Sequence, residues 1–125
     1  MRIAVVGMGK IGLPLAVHYA RRGHSVVGVD VNPQTVALIN GGAEPFPGEA
    51  HLAEYLPPLI SSGALRATTE YAEAIPGADA VVMVVPLVVD AESRPDFTIM
   101  DAATRSMAAH LSPGTLVSYE TTLPV

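Results

Sequence analysis

The sequence has no cysteine and no tryptophan, and aromatic residues make up only 5% of it. Without cysteine there is no disulfide, no thiolate metal site and no thiol nucleophile in these residues. Positive charge is also scarce: seven Lys and Arg face twelve Asp and Glu, for a net charge of −5. No basic cluster exists that would suit a nucleic acid. The longest apolar stretch, residues 78–89, is interrupted by Asp79 and Pro86 and falls short of the roughly 20 residues that a membrane span requires. The first residues read directly as a strand with no leader pattern before it. These absences point to a cytoplasmic protein with no membrane or nucleic-acid partner. The four histidines show no metal-ligand spacing, so no metal site is expected. What remains is a chain of 125 residues, 50% hydrophobic and 15% charged, suited to one well-buried domain.

Apolar runs and helical patterns alternate along it. Strands are expected at residues 2–6, 25–30, 65–68, 80–85 and 115–119. Helices are expected at 11–22, 32–40, 50–61, 71–75 and 98–110. Gly23 should close the first helix. Asn32 and Pro33 suit the cap and first position of the second, and Pro57-Pro58 should disturb the third. The uninterrupted apolar run at 80–85 is that of a central parallel strand covered on both faces. Such alternation predicts an α/β fold, a Rossmann-type doubly wound parallel sheet of probable order 3-2-1-4-5. The sequence stops just after the fifth strand. That would leave an apolar edge uncovered, so we expect a truncated domain from the first half of a longer polypeptide.

Gly7-Met8-Gly9-Lys10-Ile11-Gly12 lies between the first strand and the first helix. Asp30 ends the second strand, eighteen residues after Gly12. In this setting GxGxxG followed by an acid is a dinucleotide-binding fingerprint. Gly7 permits the tight turn, Gly9 lets a pyrophosphate approach the backbone, and Gly12 lets helix and sheet pack closely. The helix N-terminus offers free N–H groups and partial positive charge to phosphates. Asp30 would accept hydrogen bonds from the adenosine ribose and repel a 2′-phosphate, which favours NAD over NADP. Residues 7–12, Val85-Pro86-Leu87 and Glu120-Thr121-Thr122 should meet where the strand order reverses.

Five segments carry a more specific likeness: RIAVVGMGKIGLPL (2–15), GHSVVGVDVNP (23–33), SGALRATT (62–69), ADAVVMVVP (78–86) and PGTLVSYETTLPV (113–125). In this order they resemble the N-terminal domain of nucleotide-sugar 6-dehydrogenases, over essentially the whole chain. The resemblance implies one NAD-binding domain over residues 1–125, with the central helix and the UDP-sugar-binding domain outside it. It implies an enzyme that oxidises UDP-glucose, UDP-N-acetylmannosamine or a similar nucleotide sugar to the uronic acid with two NAD, within a homo-oligomer. Gly7, Gly9, Lys10, Ile11 and Gly12 would line the pyrophosphate, Asp30 the ribose, and Val85 and Pro86 the nicotinamide half. Thr122 matches a threonine that holds a water near the reacting carbon, and Glu120 and Thr121 flank it. The family traps its aldehyde on a cysteine thiolate, so these residues alone should bind NAD without turning over substrate.

The sequence departs from the family at several points. Lys10 stands where an aromatic residue is common, Gln34 and Thr35 where a ribose-binding lysine is frequent, and Leu87 where a threonine is usual. Pro47-Gly48-Glu49 matches the family's Glu-Pro-Gly only loosely. Two other readings stay open: an NAD-binding half of the 3-hydroxyacid or 6-phosphogluconate type, against which Ile11 stands in place of methionine, and a non-catalytic NAD-sensing module. His18, His24, His51 and His110 read as surface or turn residues, and Glu44, Glu49 and Glu54 as a solvated acidic face. The charged loop of Asp90, Glu92, Arg94 and Asp96 is expected beside the cleft.

Overall fold

Alternation along the first strand builds two cores at once. The computed structural model describes residues 1–46, 51–86, 88–89 and 91–120. Its elements are β1 (Arg2–Val6), α1 (Gly12–Arg21), β2 (Ser25–Val29), α2 (Pro33–Asn40), α3 (Leu52–Ser62), β3 (Leu65–Thr68), α4 (Tyr71–Ala74), β4 (Ala80–Met83), β5 (Val88–Val89), β6 (Pro95–Asp96), α5 (Thr98–Ala108) and β7 (Leu116–Tyr119). Ile3 and Val5 of β1 join one apolar cluster, Ala4 and Val6 the other, as the two-residue period of a strand requires. β4 divides likewise, with Val82 on one side and Val81 and Met83 on the other. It is buried at every position because helices cover both faces.

The first cluster is closed by Leu13, Ala16, Val17 and Ala20 of α1, Ile39 of α2, and Leu52 and Leu56 of α3. The second is closed by Ala74 of α4 and by Met100, Ala103 and Met107 of α5. The five-stranded sheet runs β3-β2-β1-β4-β7, and every pairing is parallel. This is the expected order, with β7 as the fifth strand. Before β7 the chain adds an antiparallel ribbon of β5 and β6. Hydropathy could not announce it, since a two-residue strand has no period.

Local signals held with small shifts. Asn32 caps α2, its side chain accepting the Gln34 N–H at 2.9 Å, and Gly23 follows α1 with a φ of +96°. Pro57 and Pro58 sit inside α3 without ending it. The carbonyls they leave without N–H partners, on Ala53 and Glu54, belong to exposed residues, where water can serve them. β4 ends at Met83 rather than at Val85, although the Val84 N–H still donates to Val6 at 2.7 Å. Among the described residues, no helix is long and apolar enough to cross a membrane.

Candidate functional site

The carboxyl ends of β1, β2 and β4 surround a cleft of about 590 Å³. Its floor begins with Gly7, which leaves β1 with a φ of +97°. A Cβ there would lie 2.5 Å from the carbonyl oxygen of Val84, so both backbone and space demand glycine. The Gly7 N–H donates to Val29 at 2.8 Å, tying the turn to β2. Met8 is fully buried. Its side chain occupies the space over Gly28, where a Cβ would overlap its sulfur and terminal methyl.

Gly12, the buried first residue of α1, packs against the same turn: a Cβ on it would overlap the carbonyl oxygen of Gly7. Gly9 is different. Nothing lies within 4 Å of the position its Cβ would take, and the residue borders the cleft. The first turn of α1 holds no acidic residue and its N-cap makes no side-chain hydrogen bond; the Leu13 N–H donates to Gly9 at 3.0 Å and Pro14 carries no N–H, so the helix end offers an anion chiefly its partial positive charge.

Asp30 joins loop and strand. Its Oδ2 accepts the Met8 N–H at 3.0 Å, and its Oδ1 accepts the Asn32 N–H at 2.9 Å. A carboxylate has about four lone-pair sites, so each oxygen keeps capacity for a ligand hydroxyl. Asp30 borders the cleft with Gly7, Gly9, Val85 and Pro86. Five of the residues expected at the site are thus brought together. Gly12 lies beneath the loop. Lys10 and Ile11 are exposed near its tip and do not line the cleft. Glu120 follows β7, its N–H donating to Met83 at 2.9 Å, while its carboxylate accepts the Ser118 hydroxyl at 3.1 Å. It does not line the cleft either. Thr121, Thr122, Leu87, Asp90 and the Pro47-Gly48-Glu49 segment lie outside the described residues.

Sequence reasoning missed part of the wall. Val31, Tyr71 and one face of α5, Thr98, Ala102 and Ser106, line the same cleft. The four-residue spacing of those α5 residues was the available signal. Burial first, then the negative charge of Asp30, holds the Tyr71 phenol above its ordinary pKa of 10.0. At the start of α5, Asp96 accepts the Thr98 hydroxyl at 2.6 Å and its N–H at 2.9 Å. These bonds hold its carboxyl below the usual aspartate range and brace the end of α5 that meets the cleft.

Among the described residues, no group of three or more His, Cys, Asp or Glu could hold a metal ion. His18 and His51 are exposed. Glu44 departs from the expected solvated face: it is half-buried, and its Oε2 is shielded without a hydrogen-bond partner among the described residues. The arrangement fits a dinucleotide, with a phosphate surface at Gly9 and α1, hydroxyl acceptors at Asp30 and apolar walls for flat rings.

Comparison with known proteins agrees with this fit. Residues 1–125 match the profile described as the UDP-glucose/GDP-mannose dehydrogenase family, NAD binding domain. The UDP-N-acetyl-D-mannosamine dehydrogenase of Escherichia coli (strain K12) is 41% identical over 98% of this chain and 28% of its own length. A GDP-mannose dehydrogenase from Pseudomonas aeruginosa, solved as a ternary complex, superposes with a TM-score of 0.92 at 27% identity, over 98% of this chain and 29% of that one. The UDP-D-ManNAc dehydrogenase of Pyrococcus horikoshii gives a TM-score of 0.92 at 33% identity, over 99% and 29%. The chain therefore spans less than a third of the length of these relatives.

Proposed function

This chain belongs to the UDP-glucose/GDP-mannose dehydrogenase family, as its NAD-binding domain, and we propose that it serves a protein oxidising the 6-hydroxyl of a nucleotide sugar to the uronic acid. The observation that carries this reading is the glycine loop itself. It is closed at Gly7 and Gly12, open at Gly9, and tied by the Met8 N–H to the carboxylate placed for a ribose.

In this reading Gly7, Gly9 and the first turn of α1 receive the pyrophosphate, with Gly12 keeping the helix close enough to do so. Lys10 and Ile11 lie over its outer side, and Lys10 adds favourable charge. Asp30 accepts the adenosine ribose hydroxyls, and its charge disfavours a 2′-phosphate. Val85 and Pro86 border the nicotinamide half and keep it from water. Bound NAD supplies the hydride acceptor, while the protein orients it. Glu120, Thr121 and Thr122 follow the strand beside β4, and Thr122 holds a water near the reacting carbon. The relatives named for UDP-N-acetyl-D-mannosamine support a substrate of the UDP-glucose or UDP-N-acetylmannosamine type. The thiolate that carries the second oxidation comes from outside these residues, and the whole protein works as a cytoplasmic homo-oligomer.

Isothermal titration of the chain with NAD should give a single saturable site. No heat at millimolar NAD would contradict the reading. With a UDP-sugar and NAD the chain alone should form no uronic acid, and measurable uronic acid would overturn the assignment of the thiolate to another segment.

A further inference from the structure

The cleft has an apolar end that the loop and Asp30 do not account for. Tyr71 is the first residue of α4 and lines the cleft together with Val31, the residue after Asp30. Val31 is 83% exposed, so its side chain offers open apolar surface beside the carboxylate. The Tyr71 ring packs against the second core cluster and borders the cleft. Its hydroxyl makes no hydrogen bond among the described residues, so the phenol is not spoken for by the fold.

The fold does fix where this ring stands. Buried Thr68, at the end of β3, donates its hydroxyl to the Glu73 carboxylate and accepts the Glu70 N–H at 3.0 Å. Arg66 reaches the Glu73 carbonyl oxygen at 3.3 Å. These contacts clamp the turn from β3 into α4, leaving Tyr71 little freedom. β3 and β2 are adjacent, and the Asp30 N–H donates to Thr68 at 3.1 Å. Tyr71 therefore stands beside the carboxylate assigned to the adenosine ribose, on the side away from β4 and the nicotinamide half.

We propose that Tyr71 is a specificity-determining residue for the adenine base, its ring forming one wall of a slot whose other wall is Val31. The inference rests on the NAD-site reading above. An aromatic face against a base contributes through stacking, and the ring, not the hydroxyl, does the work. Two carboxylate lone pairs then read the ribose, and the ring reads the base attached to it.

The test titrates NAD and ADP-ribose into the unaltered chain, Tyr71→Ala and Tyr71→Phe. Tyr71→Ala should weaken both ligands about tenfold, and Tyr71→Phe, which keeps the ring, less than about twofold. ADP-ribose binding to Tyr71→Ala as it does to the unaltered chain would overturn the proposal, as would Tyr71→Phe losing as much as Tyr71→Ala. Tyr71→Ala removes a half-buried ring and can fail to fold, so a second measurement uses the unaltered sequence labelled with 3-fluorotyrosine. The chain has four tyrosines, and the Tyr71→Phe spectrum identifies the resonance of Tyr71. ADP-ribose should shift that resonance; a resonance that stays in place while ADP-ribose binds overturns the slot. If neither NAD nor ADP-ribose binds the unaltered chain, the NAD-site reading falls and the slot with it. If they bind and Tyr71 is indifferent, only the slot falls.

Discussion

Gly12 and Gly9 stand three residues apart in one motif, yet a methyl group added to the first has no room and one added to the second meets nothing within 4 Å. The floor of the cleft (Gly7, Met8, Gly12 and Gly28) is set by packing. Its rim (Gly9, Asp30, Val31 and Tyr71) keeps open surface or lone pairs that the fold leaves unused. The difference teaches that a glycine fingerprint mixes two demands. Some of its positions make the turn, and others make the site.

The sharpest break of the floor is Gly12→Ala. Its Cβ must push the Gly7 backbone aside, and stability should fall by about 3 kcal/mol or more, with NAD binding lost. Gly7→Ala combines a positive φ with the 2.5 Å approach to Val84 and should cost about 2 kcal/mol. Urea unfolding of both variants measures these values; a loss below about 0.5 kcal/mol in either would contradict the packing account. Asp30→Ala lies between floor and rim. It leaves the Met8 and Asn32 N–H groups without their acceptor, so stability should drop by about 1–2 kcal/mol while NAD affinity falls too. If only affinity falls, the Asp30 bond to the loop does not support the fold.

A smaller effect appears in alkali. The Tyr71 phenol is held above its ordinary value of 10.0, so the folded state favours its neutral form. That contribution is complete below pH 10 and is lost as pH rises through the raised folded value. Absorbance titration at the phenolate band, compared with Tyr71→Phe, should show that the tyrosine missing from the variant ionises above its ordinary value. If the missing tyrosine ionises at or below its ordinary value, Tyr71 is not shielded as described.

The floor was largely legible in the sequence. Period-two alternation in residues 3–6, the unbroken apolar run of β4 and the spacing of Gly7, Gly9, Gly12 and Asp30 specified the sheet order and the loop. Each of those signals is local. Much of the rim was not legible, because it depends on residues brought together across the chain. One part of the floor shares this dependence: the fit of Met8, in the loop after β1, over Gly28 of β2 needs the two strands paired. Tyr71 reads locally as a helix start, and only the pairing of β2 with β3 puts it beside Asp30. Thr98, Ala102 and Ser106 are small and weakly polar, so their face on α5 carries almost no hydropathy signal. The β5–β6 ribbon is too short to have one.

The division between floor and rim is tested most directly by Gly9→Ala, read for both unfolding and NAD affinity in the same preparation. The open space at this position predicts a stability within about 0.5 kcal/mol of the unaltered chain, with NAD affinity reduced at least about tenfold by the methyl group between backbone and pyrophosphate. A variant that binds NAD as tightly as the unaltered chain would contradict the assignment of this opening to the cofactor.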